Sequence, residues 1–346
     1  MDNVHFTINH LLPYQRNFNL VNAIRGVGKT YSPYYYFIKR WLDKGEQFVT
    51  ICRTQDEKKN GFIRKGVEKV ILREYPELLK ARTKKDKPML TFNKDSMMYG
   101  GEIVGHCIAL SEYVKVKRNA YPLVKWGLFD EYVIEEDNPT QHYINGFDEP
   151  DLLLNIYDTI DRREDRLIMF LMGNNISAYN PYHMHKAFRI PYTEPGKIFK
   201  RENVLFENYV PSEELKEVVL DCKFARMVEG TTYGDMATKG KYIYDSEDLI
   251  VKLNPAECVY HYTILFNKAK YGVWRSSKYG CIISDVINPT CREIVAVRRE
   301  DITDNTRLLS VSNGRDMYVR TMFRCGKLTF SNMECKKRFT EILVYF

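Results

Sequence analysis

Gly28, Lys29 and Thr30 stand in succession within NAIRGVGKTY (22–31). Residues of these types suit a polyphosphate. The glycine lets backbone N–H groups approach the oxygens, the lysine reaches the outer phosphates, and the hydroxyl ligates Mg²⁺. The full phosphate-loop pattern is G-x-x-x-x-G-K-[ST], and here Ala23 replaces its first glycine. That position mainly turns the chain, so Arg25, Gly26, Val27, Gly28, Lys29 and Thr30 are expected to meet the nucleotide. Far along the chain, LVKWGLFDEYV (123–133) ends an apolar run in Asp130 and Glu131. In a nucleotide hydrolase such a pair divides the work: Asp130 holds Mg²⁺ and Glu131 polarises the attacking water. The chemistry implied is Mg²⁺-dependent hydrolysis of ATP to ADP and phosphate.

Other polar groups end apolar runs. LIMFLMGNN (167–175) closes on Asn174, placed to sense the γ-phosphate, or simply to make an Asn-rich turn. QFVTICRT (47–54) carries Arg53 toward the carboxyl-end crevice where open α/β sheets bind ligands, which makes it a nucleotide-contact candidate. DRREDR (161–166) offers Arg162, with Arg163 and Arg166 as rivals, to a neighbouring subunit's nucleotide. The competing reading is a solvated charged turn. Tyr14 and Gln15 are candidates for the base pocket, although an aromatic there more often packs.

These side chains need strands to aim them and a helix to supply N–H groups. FNLVNAI (18–24) is the strand expected before the loop. YSPYYYFIKRWLDKG has helical apolar spacing, Pro33 confined to a first turn, and Gly45 as a stop. DLLLNIYDTI (151–160) is a further helix. Gly127 is unusual inside a strand.

The chain has 346 residues, 44% hydrophobic and 28% charged, with net charge +7. That composition fits a globular chain of more than one core. No run of 18 apolar residues and no leader peptide is evident, so no membrane association is expected. KKDK (84–87), KVKR (115–118), RR (298–299) and KKR (336–338) favour a polyanionic partner. The eight cysteines contain no C-x-x-C pair, and His183 and His185 lack a nearby third metal ligand. Reduced, mostly buried thiols are expected.

RGVGKTY, KGEQFVTICRT, NAYPLVKWGLFDEYV, LLLNIYDTIDRRE and NPY (180–182) together resemble the phi29-like bacteriophage genome-packaging ATPases, relatives of large terminase subunits. The resemblance covers the first 200 or so residues well and the remainder faintly. It implies an α/β fold: an ASCE-type P-loop NTPase domain with a mainly parallel sheet (1–205), a helical linker or lid (206–245), and a smaller α/β domain of vestigial RNase H-like nuclease type (246–346). It implies that Lys29 and Thr30 form the Walker A pair, and that Asp130 and Glu131 form Walker B. Arg162 then acts in trans, Asn174 follows the sensing strand, and Lys117 lies near a subunit interface. The implied partners are ATP, Mg²⁺, double-stranded DNA, a homo-oligomeric ring, the portal of a procapsid in the host cytoplasm, and a structural packaging RNA.

VPSEELKEVVLDCKFARMVEG (210–230) suggests an amphipathic helix capped by Ser212. Beyond Ser246, CVYHYTILFNKAKYGVWRS and YGCIISDVI suggest a strand meander. A nuclease of this type needs converging carboxylates. The opening strand offers Asn267 instead, leaving Asp285 and Asp301 scattered, so nuclease activity is not expected. Two other functions share the site residues: a different ring-forming DNA translocase or helicase, and a non-hydrolysing nucleic-acid adaptor with a decayed loop.

Overall fold

The computed structural model describes residues 5–79, 90–134, 143–144, 148–178, 180–220, 223–228, 230–231, 249–310, 312–325 and 327–343. The chain forms two compact units, Met1–Tyr244 and Asp245–Phe346.

The first unit is built on a nine-stranded sheet. Its central strands are β1 (Phe18–Ala23), β2 (Gln47–Cys52), β5 (Glu102–Ala109), β6 (Val124–Asp130), β7 (Ile168–Asn174) and β9 (Val204–Asn208), all parallel, in the order β5-β2-β6-β7-β1-β9. They read as near-continuous apolar runs because both faces are covered; all six residues of β1 are buried. Two antiparallel additions were not foreseen. The strands β3 (Leu90–Phe92) and β4 (Ser96–Tyr99) extend one edge beside β5, and β8 (Ile198–Arg201) pairs with β9 at the other. The sheet runs through Asn208, so a domain limit at residue 205 would cut β9. The segment expected as a separate linker, 206–245, belongs almost wholly to this first unit.

Helix α1 (Tyr31–Lys44) begins directly after Thr30. Pro33 lies in its first turn, where a missing N–H costs little. Gly45 ends it in the left-handed conformation at φ 69°. Helices α2 (Gln55–Lys59) and α3 (Phe62–Glu74) follow β2; α4 (Tyr113–Val116) follows β5; α5 (Glu149–Asp161) precedes β7. The segment foreseen as one amphipathic helix is divided into α7 (Glu213–Leu220) and α8 (Lys223–Met227), after the short α6 (Pro181–Met184). The Ser212 hydroxyl accepts from the Leu215 N–H at 3.2 Å.

Gly127 in β6 is a packing requirement. A Cβ there would lie 2.0 Å from Met169 Sδ and 3.4 Å from Val49 Cγ1. Gly173 in β7 has a similar reason: a Cβ would meet Asn22 Oδ1 at 2.7 Å and the Tyr132 ring at 2.8 Å.

The second unit has a six-stranded sheet in the order β14-β13-β10-β11-β12-β15. The strands β10 (Cys258–Phe266), β11 (Ala269–Ser276) and β12 (Gly280–Ser284) form the expected antiparallel meander. The strands β13 (Ile294–Ala296) and β14 (Arg307–Leu308) add in parallel beyond β10, and β15 (Leu328–Phe330) adds beside β12. Helices Met317–Arg324 and Met333–Leu343 contribute Val319, Phe339 and Ile342 to its core.

Candidate active site

The loop from Ile24 to Thr30 joins the end of β1 to the start of α1. Gly26 and Gly28 have φ of 86° and 93°, so the turn is made at these two residues. Ala23 is fully buried as the last residue of β1, in register with Asn174. It has no positive φ, so the alanine occupies ordinary strand backbone and the missing glycine has no conformational consequence here. The N-terminal segment, which the sequence gave no reason to place here, braces the loop. Phe6 N–H donates to the Val27 carbonyl at 2.9 Å, and Ile8 N–H donates to Ser32 Oγ at 2.9 Å.

Lys29 is 9% exposed and its ammonium is fully engaged. It donates to Asn174 Oδ1 at 2.7 Å, to the Ile24 carbonyl at 3.1 Å and to the Ala23 carbonyl at 3.4 Å. Burial lowers its pKa to about 8, against the attraction of Asp130 and Glu131. Thr30 Oγ1 donates to Asp130 Oδ2 at 2.8 Å. Burial raises the Asp130 carboxyl to about 6, with the Thr30 hydrogen bond and Lys29 opposing and Glu131 adding to the rise. Lys29, Thr30, Asp130 and Asn174 are therefore one contact set, drawn from the ends of two strands, β6 and β7, and from the loop that enters α1. Glu131 is exposed beside it and has a left-handed backbone, φ 55°.

Arg53 requires a correction. Its side chain is 5% exposed and turned into the protein. Nε lies 3.0 Å from each Glu149 carboxylate oxygen, Nη1 donates to the Glu131 carbonyl at 3.0 Å, and Nη2 donates to the Tyr132 carbonyl at 2.9 Å. A guanidinium with these commitments does not extend to a nucleotide. The sequence placed Arg53 at the right sheet edge, but its partner Glu149 lies on a helix far along the chain.

The three arginines after α5 part company. Arg166 is bound to the Val124 and Ile160 carbonyls and to Glu164. Arg163 pairs with Asp158 at 3.5 Å while largely exposed. Arg162 is exposed and caps α5 in the left-handed conformation. All three precede β7, at the end of the sheet opposite the loop. The intervening strands are about 20 Å long, so none meets the nucleotide of its own chain. Lys117 is exposed after α4, its ammonium 5.7 Å from the Tyr113 ring centroid. The neighbouring Lys115 pairs with Glu112, which also holds Lys58. KKDK (84–87) lies outside the described residues. Arg25 is exposed on the loop.

Several residues beneath the site were not anticipated. Tyr132 Oη donates to Asn22 Oδ1 at 2.7 Å and lies 2.8 Å from His183 Nε2. His183 is buried, which lowers its pKa to about 3, while its Nδ1 lies 3.0 Å from the Ala178 carbonyl. It is a core histidine held between Tyr132 and the Ala178 carbonyl. His185 instead lies beside Asp151 at 3.1 Å. Tyr14 packs under the Lys200 ammonium, 4.1 Å from its ring centroid. The described cysteines are all free thiols.

The order β2-β6-β7-β1-β9 places one strand between the loop strand and the acidic strand. With a phosphate loop entering α1, this defines an ASCE-type P-loop NTPase fold. Residues 1–344 match the family described as Podovirus DNA encapsidation protein (Gp16), and the chain belongs to that family. The DNA packaging protein of Bacillus phage phi29 is 27% identical over 332 residues, covering 93% of this chain and 92% of that protein. The DNA packaging protein of Bacillus phage B103 is 27% identical over 331 residues, covering 93% and 95%. A chain of the bacteriophage phi29 viral genome packaging motor assembly superposes with TM-score 0.75 at 25% identity, covering 99% of both chains. A chain of the phi28 gp11 DNA packaging motor shares the fold, with TM-score 0.65, 18% identity and 99% and 98% coverage.

Proposed function

We propose that this chain hydrolyses ATP at the Lys29–Thr30–Asp130–Glu131 site and, as one subunit of a homo-oligomeric ring at a procapsid portal in the host cytoplasm, drives double-stranded DNA inward. The observation that carries the reading is the single contact set of Lys29, Thr30, Asp130 and Asn174 at the carboxyl edge of the sheet. A decayed loop has no reason to keep these four residues in register, which disfavours the adaptor. Family membership favours genome packaging over another DNA translocase.

The donor set fits Mg²⁺. Thr30 and Asp130 present hard oxygen atoms 2.8 Å apart, the chemistry that this ion prefers. When bound, the ion neutralises charge on the phosphates. Lys29 exchanges its carbonyl and Asn174 contacts for phosphate oxygens, and Asn174 is thereby released to report nucleotide occupancy. The backbone of Arg25, Gly26, Val27 and Gly28 cradles the phosphates. Glu131 orients the attacking water and accepts its proton. Arg162, at the far end of the sheet, serves a neighbour's site, which makes hydrolysis depend on ring assembly. Lys117 lies at that subunit interface. A structural RNA joins ring and capsid. The first unit, through Tyr244, carries the ATPase, and the second, from Asp245, docks nucleic acid or capsid.

Nuclease activity is excluded from this reading. Asp301 is committed to the Asn267 and Lys268 N–H groups and to Arg298. Asp285 instead meets Ser331 and Asn332. The two acids are bonded to different partners.

The test is a packaging assay with the full chain, procapsids carrying a portal, double-stranded DNA and ATP. Nuclease-protected DNA is expected with wild type and is expected to fall at least tenfold with Thr30→Ala. Equal protection by both chains would refute the motor.

A further inference from the structure

Adjacent residues of a regular strand face opposite sides of a sheet. Asp130 and Glu131 are adjacent, yet the charges of both act on Lys29. The departure from strand geometry is at Glu131, where φ is 55°. A non-glycine residue does not hold that conformation without support. On one side the support is the sheet: Tyr132 N–H donates to the Met172 carbonyl at 3.2 Å, resuming the β6–β7 pairing. On the other it is Arg53.

The carbonyl of the turn residue and that of the next residue point to the same guanidinium. Nη1 takes that of Glu131 at 3.0 Å and Nη2 that of Tyr132 at 2.9 Å. The planar fork fixes the two peptide units that leave the turn, which a point-like ammonium cannot do, and on the entering side the Glu131 N–H donates to Asp130 Oδ1 at 3.1 Å. The fork is itself fixed. Glu149 takes Nε with both oxygens at 3.0 Å, and its oxygens also accept from Tyr182 Oη at 2.7 Å and Ile144 N–H at 3.1 Å. The Phe129 and Tyr143 rings lie 5.2 and 5.4 Å from the guanidinium carbon. Arg53's own N–H donates to Glu57 at 2.7 Å. Burial opposes the Arg53 charge, and Glu149 outweighs it, so the pKa is raised.

We propose that Arg53, locked by Glu149 and Tyr182, is the positioning residue for Glu131: it pins the left-handed turn that brings the Glu131 carboxylate to the same side of the sheet as Lys29 and Asp130. The proposal rests on the reading of Glu131 as the residue that orients water. Arg53 acts only through that backbone and makes no contact with nucleotide. Misplacing a water-orienting group by about 1 Å costs on the order of a hundredfold in rate, so turnover is the sensitive readout and nucleotide affinity the insensitive one.

The test compares full-length wild type, Arg53→Lys, Tyr182→Phe, Glu131→Gln and the double variant Arg53→Lys/Glu131→Gln. Steady-state ATP turnover on portal-bearing procapsids with Mg²⁺ and double-stranded DNA is measured beside ADP affinity by calorimetry, with thermal unfolding as a fold control. Arg53→Lys is expected to lower kcat about 10- to 100-fold and to leave KM and ADP affinity within about twofold. It is expected to cost nothing further in the Glu131→Gln background, because two residues acting as one unit are not additive. An ADP affinity that falls in step with kcat, an additive double variant, or an unchanged kcat in folded Arg53→Lys would each overturn the proposal. If Arg53→Lys does not fold, Tyr182→Phe decides: a few-fold lower kcat at unchanged KM supports the lock, and an unchanged kcat overturns it. Absence of turnover in wild type would instead overturn the reading of the site, and the positioning role with it.

Discussion

At the scale of single residues, the site stores unfavourable charge. Asp130 is half-buried, and desolvation raises its carboxyl to a folded pKa of about 6, above the ordinary value of about 4. A raised carboxyl pKa favours folding while the group is protonated. That contribution is complete below about pH 4 and is lost as pH rises through 6. At neutral pH the ionised Asp130 is therefore a cost, which a bound cation would offset. Asp130→Asn keeps a partner for Thr30 and removes the charge, although Lys29 loses an attraction. The expected net gain in metal-free protein is about 1–2 kcal/mol, or a few degrees in Tm at pH 7.5 in EDTA. The gain should shrink at pH 4.5. The same variant should lose Mg²⁺-dependent stabilisation by ADP. A lower Tm than wild type in EDTA would contradict the account of Asp130. Lys29 has the mirror-image problem: its depressed pKa means that its protonated form is penalised at neutral pH until a polyanion arrives.

At the scale of elements, precision comes from close packing of the central strands. Gly127 allows β6 to lie against β7 with Met169 across its Cα. Gly127→Ala forces the buried Met169 aside, and overpacking of this kind costs about 1–3 kcal/mol. Chemical denaturation should show that loss, and an unchanged midpoint would mean that Met169 rearranges freely. The same elements explain what the sequence disclosed. β1, β2, β6 and β7 were legible because buried parallel strands are continuous apolar runs, and α1 because Pro33 and Gly45 mark its ends. Lys29 and Thr30 were marked by the Gly-Lys-Thr succession, and Asp130, Glu131 and Asn174 by standing at the polar end of such a run. The edge strands β3, β4 and β8 were not legible, being short and only partly buried. Arg53 was assigned to nucleotide because position alone aimed it at the crevice, and pairing with Glu149 across the fold leaves no local signal. The Tyr132–Asn22–His183 contacts were hidden for the same reason: each residue reads locally as strand or turn.

At the scale of the whole molecule, the phosphate loop and Arg162 occupy opposite ends of one sheet. The trans role proposed for Arg162 needs this separation, because within one chain the arginine lies far from the loop. The second unit is a sheet with helices in which Asp301 is bonded to the Asn267–Lys268 turn and Arg298, and Asp316 and Glu293 are paired with Arg307. Among the described residues no helix is long and apolar enough to cross a membrane. The central claim is that Glu131 drives ATP hydrolysis coupled to DNA. Its most direct test is phosphate release by the full chain on portal-bearing procapsids, with and without double-stranded DNA, beside Glu131→Gln. The account predicts DNA-stimulated turnover in wild type and a loss of at least about 100-fold in the variant, with ADP still bound. Turnover that survives Glu131→Gln, or wild-type protein that binds ATP on procapsids and never hydrolyses it, would contradict it.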